Sequence, residues 1–468
     1  MIERYDLLVL GGGPAGYVAA LHGRRLGLTV ALIEKERVGG VCLNRGCIPT
    51  KALLADVEGL EWVRRSAKAG ILKSVPDIDF GRLMERKSAV VNATVTNLEK
   101  HLAHAGVDVI SGTAEPVEPG VVSMEGGRSV YGTNVILATG SRSWKPPIPG
   151  IELPGVLTTR QILELDHKPQ SLTIIGGGAI GQEFAVIFNG LGSKVTILEA
   201  LPRILNDVDE EIGRKYATIA QGRGIGIEVG VIIHGIEKTG DQLRVIYEKK
   251  GREKTVESHQ VLGAAGRRPV VEGVGLEKVG IHVQNNAVAV DAGLKTSVPG
   301  IFAAGDVIGK RMLAHVAYYH GEIAAENAAG GQRRIDERPI PSCVFTSPQI
   351  AWVGLTEQEA AMTGKAHRTS VFSLSANGKA VAVGEPRGWV KLIEDTGTGR
   401  LVGAHILGPQ ASELIGEMTV SITMGLSAAD VCSAIHPHPT LSEALKEAAL
   451  GFLGGPIHAV GRVKEVKP

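Results

Sequence analysis

Two glycine-rich hexapeptides, 165 residues apart, constrain this chain more than any other feature. The first, Gly11-Gly12-Gly13-Pro14-Ala15-Gly16, follows an apolar run at residues 5–10 and opens an Ala-rich stretch that reads as a helix to about Leu26. A second apolar run at 29–33 ends on Glu34, 23 residues after the first glycine. Strand, tight turn, helix and a second strand closed by an acid is the pattern of a dinucleotide site. In that pattern Gly11 makes the turn, Gly13 lets backbone approach a pyrophosphate, Gly16 lets helix and strand pack closely, and Glu34 binds ribose hydroxyls. The pattern returns at residues 172–175, Gly176-Gly177-Gly178-Ala179-Ile180-Gly181 and 195–199, with Glu199 again 23 residues on. One hexapeptide is weak support, but two with equal spacing predict two Rossmann-like units and an α/β chain. Glu199 suits a free ribose 2′-hydroxyl, and the nearest following base, Arg203 behind Pro202, stands alone, so the second site favours NAD over NADP.

Between the hexapeptides lie Cys42 and Cys47, two of four cysteines in 468 residues. On a regular helix five residues rise ~7.5 Å, and a disulfide wants its Cα atoms within ~7 Å. A bridge therefore needs a bent or broken turn, which Gly46 and Pro49 can supply. A short, bent bridge reduces and reforms easily. The alternatives are two structural thiols or half a metal site; no Cys or His pair elsewhere completes a zinc set, so no metal is expected. Two dinucleotides beside a redox-active disulfide make a flavin and a nicotinamide the natural pairing.

The bulk properties exclude several classes. A formal charge of +1 gives no reason to expect nucleic acid or a membrane surface as partner. No apolar run reaches the ~18 residues of a membrane helix. The N-terminus enters an apolar strand without a basic segment and cleavage site, and a cytoplasmic setting is expected, where a disulfide is more often catalytic than structural. The 62 glycines fit a fold with many tight turns and close approaches to ligand.

Length and punctuation suggest several domains. The proline-rich stretch Lys145-Pro146-Pro147-Ile148-Pro149-Gly150 and the stretch Gly263-Ala264-Ala265-Gly266-Arg267-Arg268-Pro269 read as crossings. The expected division is 1–147 for the first dinucleotide unit, 148–268 for the second, 269–340 for a segment returning to the first, and 341–468 for a C-terminal α+β domain. In the last, strands are expected near 344–345, 350–353, 388–393 and 401–407, with helices at 412–424 and 441–450. Residues 66–104 read as one long helical region, and 315–330 as a helix. Asp306, at the end of a strand, is either a ligand for hydroxyl groups or a turn cap.

His436-Pro437-His438-Pro439-Thr440-Leu441-Ser442-Glu443 opens the last helix. Thiol exchange needs a group that takes and returns a proton near neutrality, which suits His438, with Glu443 fixing its tautomer. The other reading is a capping box from Thr440 to Glu443. Cys343 and Cys432 carry no motif and read as small apolar fillers.

Gly40-Val41-Cys42-Leu43-Asn44-Arg45-Gly46-Cys47-Ile48-Pro49-Thr50-Lys51, the paired hexapeptides and His438-Pro439-Thr440-Leu441-Ser442-Glu443 resemble the pyridine nucleotide–disulfide oxidoreductases, and within them the dihydrolipoamide dehydrogenase branch. The resemblance spans essentially the whole chain. It implies FAD at the first fingerprint, held by Gly11, Gly13, Pro14, Ala15, Gly16, Glu34, Gly40, Val41, Cys42, Lys51, Ala114, Thr139 and Gly140, with Asp306 on the ribityl chain and Met312-Leu313-Ala314-His315 beside the ring. It implies NAD at Gly176, Gly178, Ala179, Ile180, Gly181, Glu199 and Gly266. Lys51 pairs with Glu183 near the flavin, Cys47 faces the flavin, and Cys42 exchanges with substrate. His438, supported by Glu443, is the acid–base residue, supplied by the opposite subunit of a homodimer. The implied activity is NAD-dependent oxidation of dihydrolipoyl groups carried by an acyltransferase or a glycine-cleavage carrier protein. The alternatives are an NAD(P)H-dependent reductase of another disulfide and a non-catalytic complex subunit. Three positions depart from the usual pattern: Arg45, read as a solvated variant; Ala179, which leaves nicotinamide access freer; and Tyr318-Tyr319-His320, which stands where acidic residues are common.

Overall fold

The computed structural model describes residues 2–336, 339–460 and 462–466. Met1 and residues 467–468, the ends of the first and last expected segments, lie outside the described residues. The first apolar run forms the strand Glu3–Leu10, in which Leu7, Leu8 and Val9 are fully buried. Burying side chains of this size contributes about 1.5–3 kcal/mol each. Val30–Glu34 and Ser129–Leu137 pair with this strand in parallel, one on each side. Asp108–Ser111 extends the sheet at one edge, and the hairpin Ala114–Glu118 with Val121–Met124 extends it at the other. Ile301–Ala303 adds in parallel to Ser129–Leu137, so chain from beyond the second fingerprint returns to the first sheet.

The second sheet is parallel throughout, in the order Gly226–Val229, Lys194–Glu199, Ser171–Ile175, Gln260–Gly263, Val156–Leu157. The near-continuous apolar runs at its centre are what a sheet covered on both faces requires. Both units turn from strand to helix in the same way. Gly11 has φ +104° and Gly176 φ +113°, and a Cβ on either would meet a carbonyl oxygen at 2.4 Å, that of Ala138 or of Ala264. Only glycine fits such a turn. The Ala-rich helix Pro14–Arg25 packs against Ala314–Ala328 so closely that a Cβ on Gly321 would meet the Ala15 oxygen at 2.4 Å.

The C-terminal part is a six-stranded antiparallel sheet in the order Ser342–Val344, Gln349–Gly354, Leu401–Gly408, Trp389–Asp395, His367–Ser373, Arg462–Val466. The helices Ala411–Thr423 and Glu443–Leu450 pack on it. It docks on the second unit through Lys391, whose fully buried ammonium bonds Asp209 at 3.0 and 3.1 Å and Glu357 at 2.6 Å. The architecture is thus α/β with two Rossmann-like units and a C-terminal α+β domain.

Several elements differ from the sequence expectation. The helical region at 66–104 is two helices, Cys47–Lys68 and Phe80–His104. Gly70 leaves helical space at φ +76°, and Asp79 caps the second helix by accepting the Arg82 N–H at 3.0 Å. Ser141–Ser143, just ahead of the first crossing, pairs antiparallel with Arg267–Pro269 at the end of the second. The meander Val231–Thr239, Gln242–Lys249, Arg252–Ser258 and the strands His367–Ser373 and Arg462–Val466 went unread in the sequence. Among the described residues no helix is long and apolar enough to cross a membrane.

Candidate active site

A cleft of about 790 Å³ runs from the first fingerprint past both cysteines to the start of the second fingerprint helix. Local backbone contacts place the cysteines there. The Gly39 N–H donates to the Gly12 carbonyl at 2.7 Å, and a Cβ on Gly40 would meet the Gly13 Cα at 2.6 Å. The short helix Gly40–Arg45 therefore starts against the fingerprint turn. It breaks at Gly46 (φ −141°, ψ −106°) and resumes as Cys47–Lys68. Cys42 and Cys47 thus sit on two helices either side of the break. Pro49 falls in the first turn of the second helix, where its missing N–H is no loss. Asn44 Nδ2 donates to the Val38 and Gly40 carbonyls, each at 3.0 Å, and Thr50 Oγ1 donates to the Gly46 carbonyl at 2.8 Å, fixing both sides of the break.

The two thiols are free, and they are not equivalent. Cys47 is drawn down to about 7, chiefly by the neighbouring Cys42 thiol, with Lys51 adding to the effect against the opposing effect of burial. Cys42 is pushed up by the same contact and by burial. One sulfur is poised as a thiolate while the other keeps its proton. Lys51 stands one helical turn after Cys47, and its Nζ donates to Glu183 Oε1 at 2.9 Å and Oε2 at 2.8 Å. Arg45 is ion-paired with Glu36 on the lining of the cleft, the pair being exposed to solvent. Tyr318 lies against Tyr17, ring centroids 5.9 Å apart, and Tyr319 donates to Asp336 at 2.8 Å.

Of the residues expected around FAD, Gly11, Gly13, Pro14, Ala15, Glu34, Gly40, Val41, Cys42, Lys51, Ala114, Thr139, Gly140, Asp306, Met312, Leu313 and Ala314 all line this cleft. Gly16 lies beneath it, where a Cβ would meet the Gly11 oxygen at 1.8 Å, as its packing role requires. His315 is the exception: its Nε2 bonds the Pro341 carbonyl at 2.9 Å and its ring does not line the cleft. Asp306 is not a cap; it sits in the 3-10 turn Gly305–Ile308, and its carboxylate accepts from Ser141 Oγ. Arg267 Nε donates to that same Ser141 hydroxyl at 2.8 Å and its Nη2 to the Ser141 carbonyl at 2.6 Å. Sequence reasoning missed Ser141 and Arg267 because their meeting depends on the antiparallel pairing of Ser141–Ser143 with Arg267–Pro269.

At the second fingerprint only Ala179 and Ile180 of the expected residues reach the cleft; Gly176, Gly178, Gly181, Glu199 and Gly266 lie beyond its edge. Glu199 accepts the Gly177 and Leu201 N–H groups at 2.5 and 2.7 Å, as Glu34 accepts those of Gly12 and Glu36 at 2.6 and 2.8 Å. His438 does not line the cleft of its own chain, and its side chain is 77% exposed. Its Nδ1 bonds Glu443 Oε1 at 2.8 Å, while Glu443 Oε2 accepts the Thr440 N–H at 2.8 Å. The carboxylate orients the imidazole and accepts the Thr440 N–H, but the capping box expected from Thr440 does not form: the helix begins at Glu443 after Ser442 without a side-chain cap, and the Thr440 hydroxyl donates to the Pro437 carbonyl at 2.7 Å. Slight burial raises Glu443, but the Thr440 amide and His438 outweigh it and hold the carboxyl below its usual range.

The residues present fit dinucleotides. A Cβ on Gly13 would meet nothing nearer than the Gly40 Cα at 3.9 Å, and at Gly140 and Gly178 nothing within 4 Å, so the loops leave open space. The helices from Pro14, Ala179 and Ala314 start without a side-chain cap, leaving their first N–H groups for an anion.

Residues 5–321 match the family described as pyridine nucleotide-disulphide oxidoreductase, and residues 340–449 match the dimerisation domain of that family. A dihydrolipoyl dehydrogenase of Bacillus subtilis is 37% identical over 98% of this chain and 100% of its own length. One from Thermus scotoductus is 39% identical, with the same coverage of both chains. Among solved structures, the HOCl-induced flavoprotein disulfide reductase RclA from Escherichia coli superposes with a TM-score of 0.87 at 32% identity, over 95% of this chain and 99% of that one. With matches over nearly its full length, the chain belongs to the pyridine nucleotide–disulphide oxidoreductase family.

Proposed function

We propose that this chain is a dihydrolipoyl dehydrogenase, an FAD-dependent enzyme that oxidises protein-bound dihydrolipoyl groups with NAD+ as acceptor. The observation that carries this reading is the Cys42–Cys47 pair in one cleft with the first fingerprint and the Lys51–Glu183 ion pair. Near-full-length likeness to dihydrolipoyl dehydrogenases supports the choice of substrate. FAD held in the cleft would supply a two-electron acceptor for the cysteine pair, and NAD held at the second fingerprint a final hydride acceptor.

The chain's own residues account for the thiol chemistry. With the pair oxidised, a dihydrolipoyl thiolate attacks Cys42 Sγ; the Cys42–Cys47 bond breaks and Cys47 leaves as a thiolate, which Lys51 favours. The second dihydrolipoyl thiol attacks its partner sulfur, closing the lipoyl ring and releasing Cys42. Two electrons then reside on the cysteine pair. His438 takes the proton of the first attacking thiol and releases it to solvent, then takes that of the second and returns it to Cys42, while Glu443 holds its Nδ1. Because His438 lies outside its own chain's cleft, the site takes this residue from the other subunit of a homodimer, in keeping with the dimerisation domain.

Glu199 supports NAD, and Arg203 is turned to its own loop, its Nη1 and Nη2 donating to the carbonyls of Val208 at 2.7 Å and Asn206 at 2.5 Å. The reading carries a division into 1–147, 148–268, 269–340 and 341–468, a cytoplasmic setting, and a lipoyl-bearing acyltransferase or glycine-cleavage carrier as partner. The likeness to RclA favours a second reading, a nicotinamide-driven reductase of another disulfide. Steady-state assays separate them. A dihydrolipoyl dehydrogenase forms NADH from dihydrolipoamide and NAD+ far faster than it consumes NADH with a non-lipoyl disulfide; the reverse ratio selects the reductase.

A further inference from the structure

The strand end that follows Ser342–Val344 brings Phe345 of the C-terminal domain to the redox site of its own chain. The Phe345 N–H donates to Glu183 Oε1 at 3.2 Å, and the Lys51 Nζ lies over its ring, 4.3 Å from the centroid. Lys51 belongs to the helix that carries Cys47, and Glu183 to the second fingerprint helix Ala179–Gly190. Three parts of the fold therefore meet at one ammonium. The far end of the segment is anchored too: Ser347 Oγ donates to Glu61 at 3.0 Å, and Arg223 donates to the same carboxylate at 3.0 and 3.2 Å. The neighbours Val344 and Thr346 are buried, whereas Phe345 faces the other way and joins none of the apolar clusters among the described residues. Its ring is turned to a cation and not to a hydrophobic core.

We propose that Phe345 is a positioning residue for the redox site: its ring face and its amide together hold the Lys51–Glu183 pair beside Cys47, so that the docking of the C-terminal domain sets the charge felt by that sulfur. A lysine stem has several rotatable bonds, and a carboxylate alone fixes one direction of approach. The negative face of the ring closes a second side and favours the ammonium in place. The charged and titratable groups around Cys47 are Cys42, Lys51, Glu183, Arg267, Tyr17 and Tyr318; Lys51 and Glu183 are the two that Phe345 touches. The inference rests on the reading of Cys42 and Cys47 as the redox pair.

The test uses FAD-loaded protein carrying Cys42→Ser, so that Cys47 is the remaining thiol of the pair. Phe345 is replaced by mono-, di- and trifluorophenylalanine, which keep the shape of the ring while draining its negative face, and by tyrosine, which retains that face. The readout is the pH profile of Cys47 alkylation by iodoacetamide, mapped to the Cys47 peptide. The midpoint is expected to rise stepwise with fluorination, with alkylation below the midpoint slowed about two- to five-fold at the trifluoro ring, and Phe345→Tyr should match the parent. A midpoint unchanged across the fluorinated series overturns the proposal. Because thiol reactivity is read directly, a graded shift in the Cys42→Ser series, found beside a parent with both cysteines that forms no NADH from dihydrolipoamide, would sink the proposed function and leave the role of Phe345 standing.

Discussion

The two fingerprints share their backbone geometry closely and use it for different ends. In each, the middle glycine carbonyl accepts an N–H from the segment that follows the strand-terminal acid: Gly39 to Gly12 at 2.7 Å, and Leu205 to Gly177 at 3.0 Å. After the first acid that segment opens the cysteine helix Gly40–Arg45. After the second it leads to Asp209, which caps the helix Glu210–Gly222 and binds the buried Lys391 of the C-terminal sheet. The same slot is spent on chemistry in one unit and on domain docking in the other. A fingerprint therefore fixes where the next segment begins, and the residues of that segment decide what the position does.

If that division is right, changes in the two slots should dissociate. Cys47→Ser should reduce dithiol-dependent NADH formation to background while leaving the melting temperature close to that of the parent; a variant that still turned over would break the comparison at its first half. Neither slot supplies a proton carrier, so His438→Gln should lower turnover by about 10²–10⁴-fold. Mixing its subunits with Cys47→Ser subunits should restore part of the activity, since a mixed dimer holds one intact site. Dead mixtures would argue against a shared site.

Lys391→Met tests the docking slot. It removes the cation from between Asp209 and Glu357, and loss of one partner from a buried ionic cluster costs about 3–5 kcal/mol, measurable by denaturant unfolding. Burial pulls Lys391 down, but Asp209 and Glu357 more than offset it and raise its ammonium. Burial likewise raises Asp209, yet His405 and Lys391 outweigh it and hold the carboxyl low. The stabilising share of Asp209 is thus present above its unfolded value near 3.8 and is lost as pH falls through the lower folded value. Acid unfolding of the parent should show that loss, and Lys391→Met should blunt it. The smallest effect belongs to the acids themselves. Glu199→Ala should narrow the preference for NAD over NADP by about tenfold, the usual scale of one lost charge repulsion, whereas Glu34→Ala should leave that preference alone and weaken FAD retention instead.

Much of this arrangement is legible in the chain because it is local. The glycine spacing, the acid 23 residues on, and the break between Cys42 and Cys47 follow from short-range geometry that a linear pattern records. The His438–Glu443 pair follows from the residues of its own segment and the Lys51–Glu183 pair from family resemblance, and both meet in the structure. What escaped is held by contacts between distant segments. Ser141, Arg267 and Asp306 converge because Ser141–Ser143 pairs antiparallel with Arg267–Pro269. Lys391 reads as a surface lysine in a strand until Asp209 arrives from 182 residues away. The strand His367–Ser373 has a polar, mixed sequence whose burial pattern is set by its neighbours on both sides.

The central claim, that Cys42 and Cys47 carry the electrons, has a direct measurement. Purified FAD-loaded protein is titrated anaerobically with one equivalent of dihydrolipoamide, and every cysteine is mapped by differential alkylation before and after. The account predicts that Cys42 and Cys47 pass from disulfide to thiols together, that Cys343 and Cys432 do not change, and that added NAD+ returns the pair to the disulfide with one NADH formed per pair. In the reduced protein Cys47 should alkylate increasingly as pH rises, levelling above about 7, where its thiolate is complete. NADH formed while the pair stays oxidised, or a redox change confined to Cys343 or Cys432, would contradict it.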